Sequence, residues 1–205
     1  MPYTTNEILH ELRGLFEQYG QEPYYGEEVS QFEHAAQAAE LARKAGYDEE
    51  VQLAAFLHDI GHMLPVDDQA ELMEGYGRRD HEGVAADWLR KRGFSDKVGV
   101  LIENHVNAKR YLTYKHPEYL AALSHASLQT LGFQGGPMQT EEAEAFERNP
   151  YFELIIRMRR WDEAAKMQNY PTPDLNHYLN LVRNYLDALL CPVSISHTPF
   201  DNTHL

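Results

Sequence analysis

Cysteine is nearly absent from this 205-residue chain: Cys191 is the single one. One thiol excludes an intrachain disulfide framework and any zinc or iron–sulfur site built from cysteines of one chain. Positive charge is also scarce, with 18 Lys and Arg against 32 Asp and Glu and a net charge of −14. Phosphate-backbone binding needs a surplus of cations, so nucleic acid is not an expected partner. Long apolar runs are missing too. A stretch such as Leu53-Ala54-Ala55-Phe56-Leu57 falls far short of a bilayer span, so no membrane partner is expected. The first residues, "MPYTTNEILHELRG", lack the basic-then-apolar order of a secretory signal. Together with the lone cysteine, this makes the cytoplasm the expected location.

What remains is a composition of 43% hydrophobic and 24% charged residues, ordinary for a globular protein, and eleven histidines. Apolar spacing is helical along nearly the whole chain, and no segment alternates over a strand's length. Helices are predicted over 5–19, from Ser30 to Gly46, from about 49 to 60, over 81–93, from 96 to about 110, and over 117–131. Three more are expected at 141–148, 150–167 and 174–190. Ser30 followed by Glu33 forms a capping-box pattern, and Gly20, Gly46 and Gly93 are stop signals. Polar or glycine-rich loops separate the helices at 62–79 and at "GFQGGPM". The fold class is all-α, with one domain over 1–190 and a tail, 191–205, to which no role is assigned.

The histidines fall at revealing places on this framework. His34 opens the second helix, the adjacent pair His58-Asp59 ends the third, and His81 starts the helix after the polar loop. His105 sits within "LIENHVNAKR" and Asp162 within "RMRRWDE". Each alone has an ordinary explanation as a surface carboxylate or a hydrogen-bonded core histidine. Jointly, four imidazoles and two carboxylates suit two metal ions. One would take His34, His58, Asp59 and Asp162, and the other His81 and His105 with Asp59 bridging. Bridged ions lie about 3.5–4 Å apart, close enough to act on one substrate. Imidazole with carboxylate suits iron, manganese or zinc. Two such ions against two ligand carboxylates leave a positive site, which an anionic substrate would complete.

The order H…HD…H…H…D resembles the HD-domain superfamily, and the added His81 and His105 resemble its dinuclear branch. From about residue 20 to 180 the chain resembles the 2-amino-1-hydroxyethylphosphonate dioxygenases, di-iron enzymes related in mechanism to myo-inositol oxygenase. "YYGEEVSQFEH", "NHVNAKRYL", "SHASLQTLGFQGGPM" and "RMRRWDE" carry that likeness. The resemblance implies an HD-type helical bundle around two irons, Fe(II) and Fe(III), with dioxygen as co-substrate. It implies that Tyr24 is a displaceable iron ligand and that Glu27 moves with it to meet the substrate's amino group. Lys109, Ser127, Gln134 and Arg159 would hold the phosphonate, with His62 behind the metal ligands towards the substrate. The implied reaction is oxidative cleavage of the C–P bond of a small-molecule phosphonate to a carboxylic acid and phosphate. The 2-amino compound, its trimethylammonium analogue and hydroxymethylphosphonate all remain open as substrates, and Tyr25 could offer a π face to a cation. Two other readings stand beside it: a metal-dependent phosphohydrolase of a nucleotide or other phosphomonoester, and a non-catalytic metal-stabilised binding module. The oligomeric state is left open.

Overall fold

The computed structural model describes residues 2–66 and 72–190. The tail 191–205, with Cys191, and part of the 62–79 loop lie outside the described residues. Eleven α-helices follow one another among them: α1 (Thr5–Tyr19), α2 (Gln31–Lys44), α3 (Glu49–Leu57), α4 (His81–Lys91), α5 (Asp96–Glu103), α6 (His105–Lys115), α7 (Pro117–Ala122), α8 (His125–Phe133), α9 (Thr140–Glu147), α10 (Phe152–Ala164) and α11 (Leu175–Leu190). A 3-10 turn, Ile60–His62, follows α3. No strand forms among the described residues; only isolated bridges join Pro23 to Ser30 and Leu72 to Arg78. No helix there is long and apolar enough to cross a membrane.

The helix starts are written in local chemistry. Thr4 and Ser30 each accept from the backbone amide three residues on, and Glu7 and Glu33 reach back to the cap, closing two capping boxes. Asp48, Ser95 and Ser124 cap α3, α5 and α8 in the same way, without the return bond. The core runs from α1 to α11 and is centred on α3, whose Leu53, Ala54, Ala55, Phe56 and Leu57 are all buried. α2 and α11 pack against α3 with α5, while α10 lies across α2 and α6. Phe56 stacks on Phe16 at 4.8 Å and on Tyr178 at 4.3 Å between ring centres. That aromatic column supports the turn directly after it, His58-Asp59.

Four expected helices are shorter or divided, the one expected over 150–167 spanning Phe152–Ala164. The third stops at Leu57 rather than running to residue 60, so His58 and Asp59 occupy a turn. The helix expected through 96–110 breaks at Asn104, whose side-chain amide donates to Val100 O at 2.9 Å and competes with the backbone ladder. The helix expected over 117–131 breaks at Leu123-Ser124, where both residues are extended and Ser124 caps the next segment. Periodicity runs straight through these last three sites, because a helix end costs few apolar contacts.

Candidate metal centre and substrate pocket

The helix ends have a shared use. At a helix terminus the last carbonyls lack intrahelical amides, and here histidines take them. His58 Nδ1 donates to Ala55 O at 2.7 Å, and His105 Nδ1 to Ile102 O at 2.7 Å. His34 Nδ1 donates to Ala165 O, just past α10, at 3.0 Å, and His81 Nδ1 to Arg78 O at 3.2 Å. Every ring therefore carries its neutral-state proton on Nδ1, and every Nε2 lone pair points inward.

Inward they meet one another. The Nε2 atoms of His34 and His58 are 3.1 Å apart, as are those of His81 and His105. Asp59 stands between the pairs: Oδ2 lies 3.5 Å from His34 and 3.4 Å from His58, and Oδ1 lies 3.2 Å from His81 and 3.5 Å from His105. Asp162 Oδ1 joins the first pair at 3.4 and 3.8 Å. All six residues are buried. Lone pairs facing lone pairs and carboxylate oxygens in a dry interior repel unless cations lie between them. Asp59 Oδ2, buried without a hydrogen bond, is the sharpest sign of that. The donor set, four imidazoles and two carboxylates without sulfur, fits metal ions, and three triads among these residues have ligand atoms within 4.8 Å of one another.

The charge states follow the same logic. Burial opposes protonation of His58, but the Asp59 charge and bonds to Asp162 and Asp59 outweigh it and hold the ring well above the imidazole range. Burial also opposes ionisation of Asp59 and Asp162, yet His58 for the first and Arg159 for the second keep both far below the usual carboxylate range. His105 is pushed down to about 3 by burial and its histidine neighbours.

A pocket opens above this cluster, about 440 Å³ with its mouth. Every residue expected at the substrate lines it: Tyr24, Glu27, His62, Lys109, Ser127, Gln134 and Arg159. Their contacts differ. Lys109 is buried on α6, donates to Thr130 Oγ1 at 2.8 Å and Ser127 O at 3.5 Å, and so meets only neutral oxygens. Burial, with Arg159 nearby, brings its pKa down to about 7. Gln134 Oε1 is buried with no partner. Arg159 is not free: it pairs with Asp162 Oδ2 at 2.5 Å and Glu163 at 3.3 Å, and its Nε donates to Tyr119. Its first task is to orient and balance Asp162. Tyr24 stacks on His34 at 3.8 Å, and burial plus the Asp59 and Asp162 charges hold its proton firmly. His62 stacks on His81 at 3.9 Å, and its Nδ1 accepts from Arg78 N. Glu27 Oε1 accepts from Lys166 Nζ at 2.6 Å and Ser124 Oγ at 2.7 Å. Lys166, Thr130, Met73 and Tyr76 also line the pocket and carry no motif that sequence reading could have used. Glu82 is a further unanticipated neighbour, 3.3 Å from His81 Nδ1.

Gly61 explains the "DIGH" spelling. A Cβ there would stand 2.0 Å from His81 O, so only glycine lets the 3-10 turn rest on the start of α4.

Residues 31–147 match the family model of the HD domain, more than half of the chain. The chain belongs to the HD-domain family. An uncharacterized protein of Acanthamoeba polyphaga mimivirus is 41% identical over 172 residues, covering 84% of this chain and 78% of that protein. The [1-hydroxy-2-(trimethylamino)ethyl]phosphonate dioxygenase (glycine-betaine-forming) of Leisingera caerulea is 39% identical over 186 residues, 88% of this chain and 91% of the relative. The hydroxymethylphosphonate dioxygenase of Gimesia maris is 39% identical over 186 residues, 90% of each.

Proposed function

We propose that this HD-domain protein is a di-iron oxygenase that cleaves the C–P bond of a 1-hydroxyphosphonate with dioxygen. The observation that carries the reading is the juxtaposition of Asp59, its two oxygens shared between two histidine pairs, with the buried Lys109 ammonium at the same pocket. The first describes a site for two cations, and the second a receptor for an anion beside them. Two relatives aligned over about nine-tenths of the chain are named phosphonate dioxygenases, which supports the same reading.

His34, His58, Asp59 and Asp162 would hold one iron, and His81, His105 and Asp59 the other. Bound there, Fe(II) and Fe(III) would supply the one-electron chemistry with dioxygen that imidazoles and carboxylates cannot. The substrate loses its C1–H and C–P bonds, and dioxygen takes up those four electrons. Its two oxygen atoms end in the products, so one phosphonate and one dioxygen give one carboxylate, one hydrogenphosphate and one proton. The protein's side chains do the rest. Lys109 holds the phosphonate by a charge-assisted hydrogen bond, and the Gln134 side-chain N–H and the Ser127 hydroxyl fix its rotation. Arg159 keeps Asp162 ionised and aimed. Tyr24, stacked over His34, covers the cluster until substrate enters.

The test is oxygen uptake by anaerobically purified, iron-loaded protein given hydroxymethylphosphonate, (R)-2-amino-1-hydroxyethylphosphonate and its trimethylammonium analogue, with phosphate assayed in parallel. Equal uptake of oxygen and release of phosphate with any of them is the expected result. No uptake with all three, alongside oxygen-independent phosphate release from phosphomonoesters, would make the protein a hydrolase. Absence of both would leave a binding module.

A further inference from the structure

The far side of the pocket holds an ion pair that the phosphonate chemistry does not use. Lys166, in the segment after α10, donates from Nζ to Glu27 Oε1 at 2.6 Å and to Ser124 Oγ at 3.3 Å. Ser124 Oγ donates in turn to Glu27 Oε1 at 2.7 Å. The triangle ties together the 20–30 loop, the start of α8 and the end of α10. Both charged side chains are mostly shielded, at 16% and 15% exposed, so the pairing is stronger than that of a surface salt bridge. The same Nζ lies 5.9 Å from the centre of the Tyr24 ring, within cation–π range.

An ammonium or trimethylammonium substituent on a substrate needs either a carboxylate or an aromatic face. Among the described residues, Glu27 is the pocket-lining carboxylate outside the histidine cluster, and Lys166 already neutralises it. Of the aromatic faces, Tyr24 has His34 against it and Lys166 within range, Tyr25 meets His62 edge-on at 4.8 Å, and Tyr76 also lines the pocket. A further ammonium group could pair with Glu27 only by displacing Lys166.

We propose that Lys166 is a specificity-determining residue, filling from within the chain the place that a substrate's ammonium group would take. The pocket then selects 1-hydroxyphosphonates with no cationic substituent, of which hydroxymethylphosphonate is the smallest. This rests on the oxygenase reading above. With that substrate, C–H and C–P cleavage by one dioxygen yields formate, hydrogenphosphate and one proton.

The experiment compares hydroxymethylphosphonate with the 2-amino and 2-trimethylammonium compounds on the iron-loaded wild type and Lys166→Met. Kd is read by anaerobic calorimetry, where no turnover occurs, and kcat/KM by oxygen uptake. Wild type should bind hydroxymethylphosphonate, which has no ammonium group, at least about tenfold more tightly, the difference made by one charge-assisted hydrogen bond that cannot form. Lys166→Met should shift the Kd ratio towards the ammonium compounds by roughly 10- to 100-fold, and adding Glu27→Gln should cancel that shift. A wild-type preference for either ammonium compound overturns the proposal, as does a ratio that Lys166→Met leaves in place. If Lys166→Met melts early, Lys166→Gln keeps a neutral hydrogen-bond donor and removes the charge, and the same ratio decides. Absence of oxygen uptake with all three compounds sinks the oxygenase reading instead, while the Kd values still decide the selectivity.

Discussion

Replacing Lys109 by methionine should make the protein more stable and a poorer phosphonate binder, because one property causes both effects. Methionine matches the length of the lysine stem and places no charge among Thr130, Ser127 and the surrounding α6 and α8 side chains. The lysine pKa falls from 10.5 to about 7 on folding. At about 1.4 kcal/mol for each tenfold change in proton affinity, the buried ammonium costs at most about 5 kcal/mol below pH 7. Water penetration and relaxation reduce that figure, so a gain of about 1–3 kcal/mol is expected, or a Tm rise of about 3–10 °C for a chain of this size. The sign can be checked by pH. A lysine with a depressed folded pKa binds fewer protons folded than unfolded between about 7 and 10.5, so wild-type stability rises with pH across that window. The gap between variant and wild type should therefore shrink by about half from pH 7 to pH 9. Bound metal cations act in the same direction. Thermal unfolding at both pH values measures this, and calorimetry with hydroxymethylphosphonate should show Kd weakened by roughly 10- to 100-fold. A Lys109→Met protein that melts below wild type at pH 7 would refute the reasoning, since Lys109 would then be contributing packing or bonds that outweigh its desolvation.

Gly61→Ala should push His81 off its position, because the added Cβ meets His81 O at 2.0 Å; expected are a loss of about 1–3 kcal/mol in thermal unfolding and reduced bound metal by elemental analysis. Phe56→Ala removes the centre of the Phe16–Phe56–Tyr178 stack and should cost about 3–5 kcal/mol in denaturant unfolding. Metal affinity should fall as pH drops from 8 to 6, by about tenfold per pH unit for each proton displaced. The reason is that Asp59, overcoming burial, holds a proton on His58 well above the imidazole range when no cation is present, and a chelator-competition titration at three pH values checks it.

The all-α class, the capping box at Ser30, and the positions of the six candidate ligands were legible in the sequence, because helix starts and periodicity depend on residues within one turn of each other. The same holds for "HDIG", where adjacency alone puts an imidazole and a carboxylate at one helix end. What distance along the chain hides is how those side chains are used. The bonds from His58 and His105 Nδ1 to the carbonyls of Ala55 and Ile102 are local, three residues back, but only packing brings their Nε2 atoms to those of His34 and His81. Only packing 131 residues apart gives His34 the carbonyl of Ala165. Arg159, expected from the resemblance at the phosphonate, lines the pocket and also pairs within its own helix with Asp162, a buried carboxylate one turn away. Glu27, read as a counter-charge for substrate, meets Lys166 from 139 residues away, a pairing that no local pattern encodes. Local rules placed the reactive groups on their elements, and long-range packing decided which charges remain unspent for a ligand.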